Sequence, residues 1–234
     1  MKHLFTLVVF AITSSLFAQS KPFEGVLNYK ITERNAAGDL VVNSESSGDI
    51  FMHVKGDKIL MQIIQIHVYD MGIDTMNMYY LQDFGTKQSF IGMKMIDNLY
   101  CTEEELDLFP AGEFKPLKIK TKSIQGLVCN AADVETITAE ADEISPAIKQ
   151  TTRVWYTQAY TSPNLFFGQF EKVPGLITSV EEEADNGNKT VIELVSYTPK
   201  SIGEEELQIP KQYKRVTWEE LLELYPILDE TMQE

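Results

Sequence analysis

Few side chains in this sequence are of the kinds that do chemistry, and their spacing argues against most of it. Of three histidines, His53 and His67 lie beyond the N-terminal stretch, each within an alternation of apolar and polar residues. They show neither the helical i, i+4 pairing nor the adjacent cysteines that a zinc site requires. A nucleophile elbow of the Gly-x-Ser-x-Gly type, a phosphate-cradling glycine loop and a dinucleotide fingerprint are all missing. Acidic residues abound, and a glycosidase needs only two placed carboxylates; with 35 Asp and Glu in the chain, composition selects no pair. The runs Glu103-Glu104-Glu105, Glu181-Glu182-Glu183 and Glu204-Glu205-Glu206 lack the alternating Asp/Asn ligands of a calcium loop. They read as solvated, self-repelling surface. The expectation is a protein that is not an enzyme and has no catalytic residue, no metal and no cofactor.

Three other groups of residues bear on function. Cys101 and Cys129 are the whole cysteine complement. In an oxidising compartment an even count permits a bridge, and two separate buried thiols are the alternative. Seven of the nine methionines fall between Met52 and Met95. Methionine is flexible and polarizable, so such a cluster can either fill a core or adapt to an apolar ligand. Pro163-Asn164-Leu165-Phe166-Phe167-Gly168-Gln169-Phe170 crowds aromatics into a connection, where loops ordinarily run over the surface. These rings must either plug the core or face a ligand.

The elements that would position these residues are strands. In Phe23 to Ile31, Phe23, Leu27, Tyr29 and Ile31 share one face. Asp49 to Val54 and Lys58 to Ile66 meet across Lys55-Gly56-Asp57, and Thr75 to Gln82 and Gln88 to Met93 meet across Asp83 to Lys87. Short connections rich in Gly and Asp favour antiparallel hairpins. A helical turn is predicted after Thr102, with Glu105 completing a capping box. Strands follow at Leu117 to Lys122 and Leu127 to Thr138, joined at Ile124-Gln125-Gly126. Ala139 to Gln150, with Pro146, reads as a loop, and Arg153 to Thr157 resumes the sheet. Leu176 to Glu183 and Lys189 to Tyr197 pair across Asp185-Asn186-Gly187-Asn188, the strongest hairpin signal in the chain. Thr217 caps a final helix with Glu220 in the box position, and Trp218, Leu221, Leu222 and Tyr225 form its apolar stripe. The predicted class is mainly β (β-rich α+β), a curved antiparallel sheet or half-barrel with a few short helices, one of them C-terminal. A sheet this long must curl or meet a second sheet to hide its apolar face.

The N-terminus leads to the expectation that this domain is exported from the cytoplasm. Lys2, the apolar run Leu4 to Ile12 and the small-residue end Ser14 to Ser20 have the form of a secretory signal. Cleavage is expected after Ala18, leaving one domain over residues 19–234, or else after Ser20. The alternative, a membrane anchor, needs roughly 20 apolar residues, more than this run supplies. A formal net charge of −15 argues against nucleic acid and anionic membrane surfaces as partners.

Several segments, in this order, carry a family resemblance. They are Phe23 to Lys30, Ile124 to Cys129, Val154 to Thr157, Val173-Pro174-Gly175-Leu176-Ile177, and Leu207 to Lys214 before a short acidic helix. Together they resemble uncharacterised secreted proteins common in the Bacteroidetes, among them the GLPGLI family. The motif of that family is matched in its Pro-Gly-Leu-Ile part and departed from at Val173. The broader group is similar to the outer-membrane lipoprotein carriers. That resemblance implies a curved antiparallel half-barrel closed by helices, with an apolar cavity for acyl chains, and it supplies no catalytic residues. The residues expected around such a cavity are Met52, Met61, Met76, Met78, Phe166, Phe167 and Phe170. The expected function is therefore an exported, non-catalytic protein, periplasmic or secreted in a Gram-negative envelope, that binds a lipid or the acyl part of a lipoprotein. The rival is an envelope protein–protein interaction module with a fully packed core.

Overall fold

The computed structural model describes residues 20–41, 47–69, 72–95, 98–106, 110–139, 148–161, 168–184 and 186–224. The signal stretch, most of the acidic loop after Ala139, and Phe166 and Phe167 lie outside the described residues. The strands are β1 (Lys21–Pro22), β2 (Gly25–Arg34), β3 (Gly48–Lys55), β4 (Lys58–Tyr69), β5 (Gly72–Asp83), β6 (Gln88–Met95), β7 (Asn98–Glu105) and β8 (Glu113–Pro116). They continue with β9 (Lys122–Ile124), β10 (Leu127–Ala139), β11 (Ile148–Thr157), β12 (Tyr160–Thr161), β13 (Leu176–Glu183), β14 (Lys189–Pro199) and β15 (Lys214–Arg215). One α-helix, α1 (Trp218–Leu224), follows.

The mainly β antiparallel class expected from the alternation is the observed one. The main sheet runs β15-β7-β6-β5-β4-β3-β2-β14-β13-β11-β10-β8, with β9 also paired to β10, and β1 and β12 form a separate parallel pair. It is open, because among the described residues its two ends do not pair with each other. Strands β2 to β7 form an up-and-down meander, and β2 also pairs with β14, so the first and last long strands lie side by side at the centre. Hairpin chemistry is legible in the turns. Gln125 and Gly126 both have positive φ (51° and 80°), as a two-residue turn matched to the twist of its strands requires.

One face of the sheet carries the main core. Leu27, Tyr29 and Ile31 of β2, Ile50, Met52 and Val54 of β3, and Ile59 and Met61 of β4 are all buried there. The pairs Ile50–Ile63, Met52–Met61 and Val54–Ile59 stand directly opposite one another, so each strand adds a rung to the same apolar surface. A second cluster covers β10, β11 and β13, where Phe170 and Val173 pack on Val134, Val154 and Val180. Tyr29 ties the two halves together by donating its phenol to the Ile177 carbonyl at 2.7 Å.

The opposite face is covered by the chain after β14. Ile202 and Leu207 pack on Leu60, with Val26, Tyr79 and Leu81 alongside. The chain then runs beside the edge strand as β15, parallel to β7 with Lys214 opposite Tyr100 and Arg215 opposite Cys101. Beyond that edge α1 packs Leu221 against Tyr100, with Met93 and Trp218 beside it. Successive strand residues point to opposite faces, so Tyr100 and Cys101 put α1 and the Ile202–Tyr213 segment on opposite sides of β7. The C-terminal part thus wraps an edge that would otherwise present unpaired backbone groups.

Three expectations are corrected. Ala139 and Ile148 to Gln150, read as the ends of a loop, are strand, because β10 and β11 extend their ladder to the Ala139–Ile148 pair. No helical turn follows Thr102: Thr102 to Glu105 are strand, paired with Ile91 to Gln88 of β6. Ladder pairing along eight residues outweighs a local cap that offers only a bond or two. Leu117 to Lys122 is not one strand either. β10 takes two partners along its length, β9 against Leu127 to Cys129 and β8 against Ala132 to Glu135, and residues 117–121 bridge between them. The expected C-terminal cap is present: the Glu220 amide donates to Thr217 Oγ1 at 3.1 Å, and the Thr217 amide donates to Glu220 Oε2 at 2.8 Å.

Candidate functional site

The residues singled out from sequence fall into three environments. Met52 and Met61 face each other in the main core, 1 % and 3 % exposed. Phe170 is buried in the second cluster. Met76 and Met78 are half-buried on β5, opposite Gln65 and Ile63. The two cysteines are free and buried, Cys101 on the edge strand β7 and Cys129 on β10 near the other end of the sheet. Nine strand steps of about 4.8 Å separate them along the sheet order. The bridge that export would permit is therefore not formed, and of the two alternatives the separate buried thiols are realised.

His53 lies away from the main core, with Nδ1 3.7 Å from a Glu206 carboxylate oxygen. Among the described residues no group of three or more His, Cys, Asp and Glu is placed to hold a metal. The acidic run at Glu204 is engaged in ion pairs. Glu204 accepts from Lys55 at 2.8 Å, Glu206 accepts from Lys200, and both carboxyls are held below their ordinary range by those hydrogen bonds first.

Among the described residues, two places offer apolar binding surface. The first lies on the core face where it runs out across β4 to β6. Register aligns Ile63 with Met78 and Tyr80 with Ile91, and Met93 stands opposite Tyr100. Ile63, Met78, Tyr80, Ile91 and Met93 are all half-buried, whereas the same face of β2 and β3 is sealed. Within this stripe the Tyr80 hydroxyl donates to Met78 Sδ at 3.6 Å.

The second lies on the opposite face, at the C-terminal wrap. A cleft of about 380 Å³ opens between the sheet and the Gln208–Tyr213 segment. Its walls include Leu81, Phe90, Ile209 and Tyr213, with Lys211 and Arg215 at its margin. Gly92 makes room for the covering segment: a β-carbon there would stand 3.0 Å from Ile209 Cγ2 and 3.3 Å from Tyr213 Cδ1. Tyr213 in turn packs edge-on against Tyr79, with ring centres 5.6 Å apart. A neighbouring cleft of about 530 Å³ shares Phe90, Cys101 and Arg215 and reaches Trp218. The Arg215 guanidinium lies 5.4 Å from the centre of the Phe90 ring, between the two clefts. Burial raises the Cys101 thiol and the Tyr213 phenol above their ordinary values, so both stay neutral near pH 7.

Sequence reasoning missed this second place. A signal was available: Lys211, Lys214 and Arg215 cluster within five positions of an otherwise acidic chain.

No family model matches the chain, and no curated protein matches it. The GLPGLI resemblance accordingly rests on its short motifs. Among solved structures, the chain is similar to a LolA superfamily protein from Nitrosomonas europaea, known from a crystal structure. The two are 9% identical with a TM-score of 0.32, over 82% of this chain and 92% of that one.

Proposed function

We propose that this chain is an exported, non-catalytic binding protein for an apolar ligand, a lipid or the acyl part of a lipoprotein, working in the cell envelope. The observation that supports the reading most is the change along one face of the sheet. Over β2, β3 and the Ile59–Met61 end of β4 the apolar face is sealed, whereas at Ile63, Met78, Tyr80, Ile91 and Met93 it stays apolar while only half covered. Apolar surface left partly uncovered beside a complete core is what a chain-binding surface needs, since each buried methylene contributes about 0.8 kcal/mol. Methionines Met76 and Met78 suit such a surface because their side chains re-shape around varied partners. They are the positions proposed to meet the ligand; Phe166 and Phe167, expected with them from the sequence, lie outside the described residues. Met52 and Met61 would then support the surface from within, whereas Phe170 belongs to the cluster over β10, β11 and β13.

The test is a titration with Nile red, a neutral apolar fluorophore, followed by displacement with phospholipid. Wild type should bind saturably, and Met78→Asp should weaken binding at least tenfold while the fold is retained, because an unpaired carboxylate would face the apolar chain. Saturable binding indifferent to Met78→Asp would move the site elsewhere. No binding at all would favour the interaction module with a packed core.

A further inference from the structure

The cleft under the Gln208–Tyr213 segment lies on the face opposite the Met78 stripe and does not depend on the reading given for that stripe. Its charge is out of character with the chain. Against 35 acidic and 20 basic residues overall, its lining has two cations, Lys211 and Arg215, and no carboxylate. The adjoining cleft has the opposite character, with Glu103, Glu219 and Glu220. Arg215 has no carboxylate partner among the described residues and rests on the face of Phe90. Among the described residues its fork of donors is therefore unoccupied at the margin of an apolar trough. The trough itself offers Leu81, Phe90, Ile209 and Tyr213. Cys101 adds a buried thiol rather than a charge.

We propose that this cleft binds a single-chain amphiphile with a carboxylate head. Its chain would lie on Leu81, Phe90 and Ile209, and its carboxylate would pair with Arg215 and Lys211. Three features favour this occupant. A planar carboxylate matches the guanidinium fork in a bidentate pair, which a hydroxyl cannot do. The volume is at the small end of the range for ligand pockets, enough for one chain and short of a diacyl lipid. The cations also stand at the exposed margin, so the head keeps part of its hydration and avoids the full cost of burying a charge. The acidic neighbour on the far side of Arg215 sets the direction, because a carboxylate placed there would meet three others.

Isothermal titration calorimetry with decanoate, decanol and acetate tests this. Decanoate should bind saturably, decanol about tenfold more weakly, and acetate not measurably. The double substitution Arg215→Gln/Lys211→Gln should reduce decanoate binding to the level of decanol and leave decanol unchanged. Both substituted positions are exposed, so the fold should persist, which a thermal melt checks. A diazirine-bearing decanoate should crosslink to peptides containing Phe90 or Ile209, and Met78→Asp should leave that crosslink intact. Equal affinity for decanoate and decanol would overturn the proposal, as would decanoate binding unmoved by the double substitution. Saturable acetate binding of similar strength would also overturn it and reduce the site to an adventitious ion only. Crosslinking confined to Met78 and its neighbours would assign the ligand to the other face.

Discussion

Gly92→Val should destabilise this protein although it improves the strand on its own terms. Gly92 sits inside β6, between Tyr79 of β5 and Cys101 of β7. Its φ is not among the positive values, so a β-branched residue would fit the backbone and gain up to about 1 kcal/mol of strand preference. Against that, a β-carbon would stand 3.0 Å from Ile209 and 3.3 Å from Tyr213, and valine adds two methyl groups beyond it. Overpacking of this kind costs about 1–3 kcal/mol. If the segment yields, the Tyr79–Tyr213 contact goes too, worth about 0.5–1.5 kcal/mol. The net loss is about 0.5–3.5 kcal/mol, or roughly 1–14 °C in Tm for a chain of this size. The loss should be local in origin. Hydrogen exchange should speed most at Tyr213 and Val216, whose amides donate to Pro210 and to the edge-strand carbonyl of Cys101, while amides of β2 and β3 keep their protection. A melting temperature raised by Gly92→Val, with exchange at Val216 unchanged, would refute the claim that the C-terminal wrap rests on the missing side chain.

Met52→Ala should cost about 2–5 kcal/mol in urea unfolding, because it empties a sealed site opposite Met61. Met78→Ala, half-buried, should cost clearly less, and equal losses would contradict the difference in cover. Reducing agent should leave the melting temperature unchanged, since both cysteines are free. Alkylation with iodoacetamide at pH 7 should be slow in the folded protein and reach both thiols on unfolding, Cys101 being held protonated by burial. Glu135, Glu204 and Glu206 have lowered folded values through their lysine partners. Their contribution is present above the ordinary carboxylate range and is lost as pH falls through the depressed folded values. Urea midpoints measured from pH 7 down to pH 3 should therefore fall, and 0.5 M salt should flatten the decline because these pairs are exposed; a salt-independent decline would assign it to buried groups.

Local pattern determined much of the fold. The alternation in Phe23 to Ile31 names the residues that are buried, because a two-residue repeat is a property of the strand alone. The turns at Gly56, Gln125-Gly126 and Asn186-Gly187 mark real hairpins, and Thr217 with Glu220 marks a real helix start. Each of these is settled within a few residues of chain. Where a local signal competed with pairing, pairing prevailed: Thr102 and Glu105 have the form of a cap, yet β6 holds them as strand.

What a strand's two neighbours are, and what covers each face, is decided by contacts far apart in sequence. β2 finds β14 across most of the chain, and nothing in either strand names the other. That pairing puts Cys101 and Cys129 in opposite halves, so two thiols with a suitable compartment have no partner. The methionines divide the same way. Met61 and Met78 stand on one face of adjacent strands with similar flanking residues, but one lies under the sealed core and the other where the cover thins. Arg215 acquires Phe90 and an apolar trough only because the chain folds back over Gly92. Side-chain direction is a local property of the strand, whereas burial and neighbourhood belong to the assembled sheet. Residues such as Phe23, Leu27 and Tyr29 could therefore be assigned from the sequence, while the character of the Arg215 cleft required the tertiary structure.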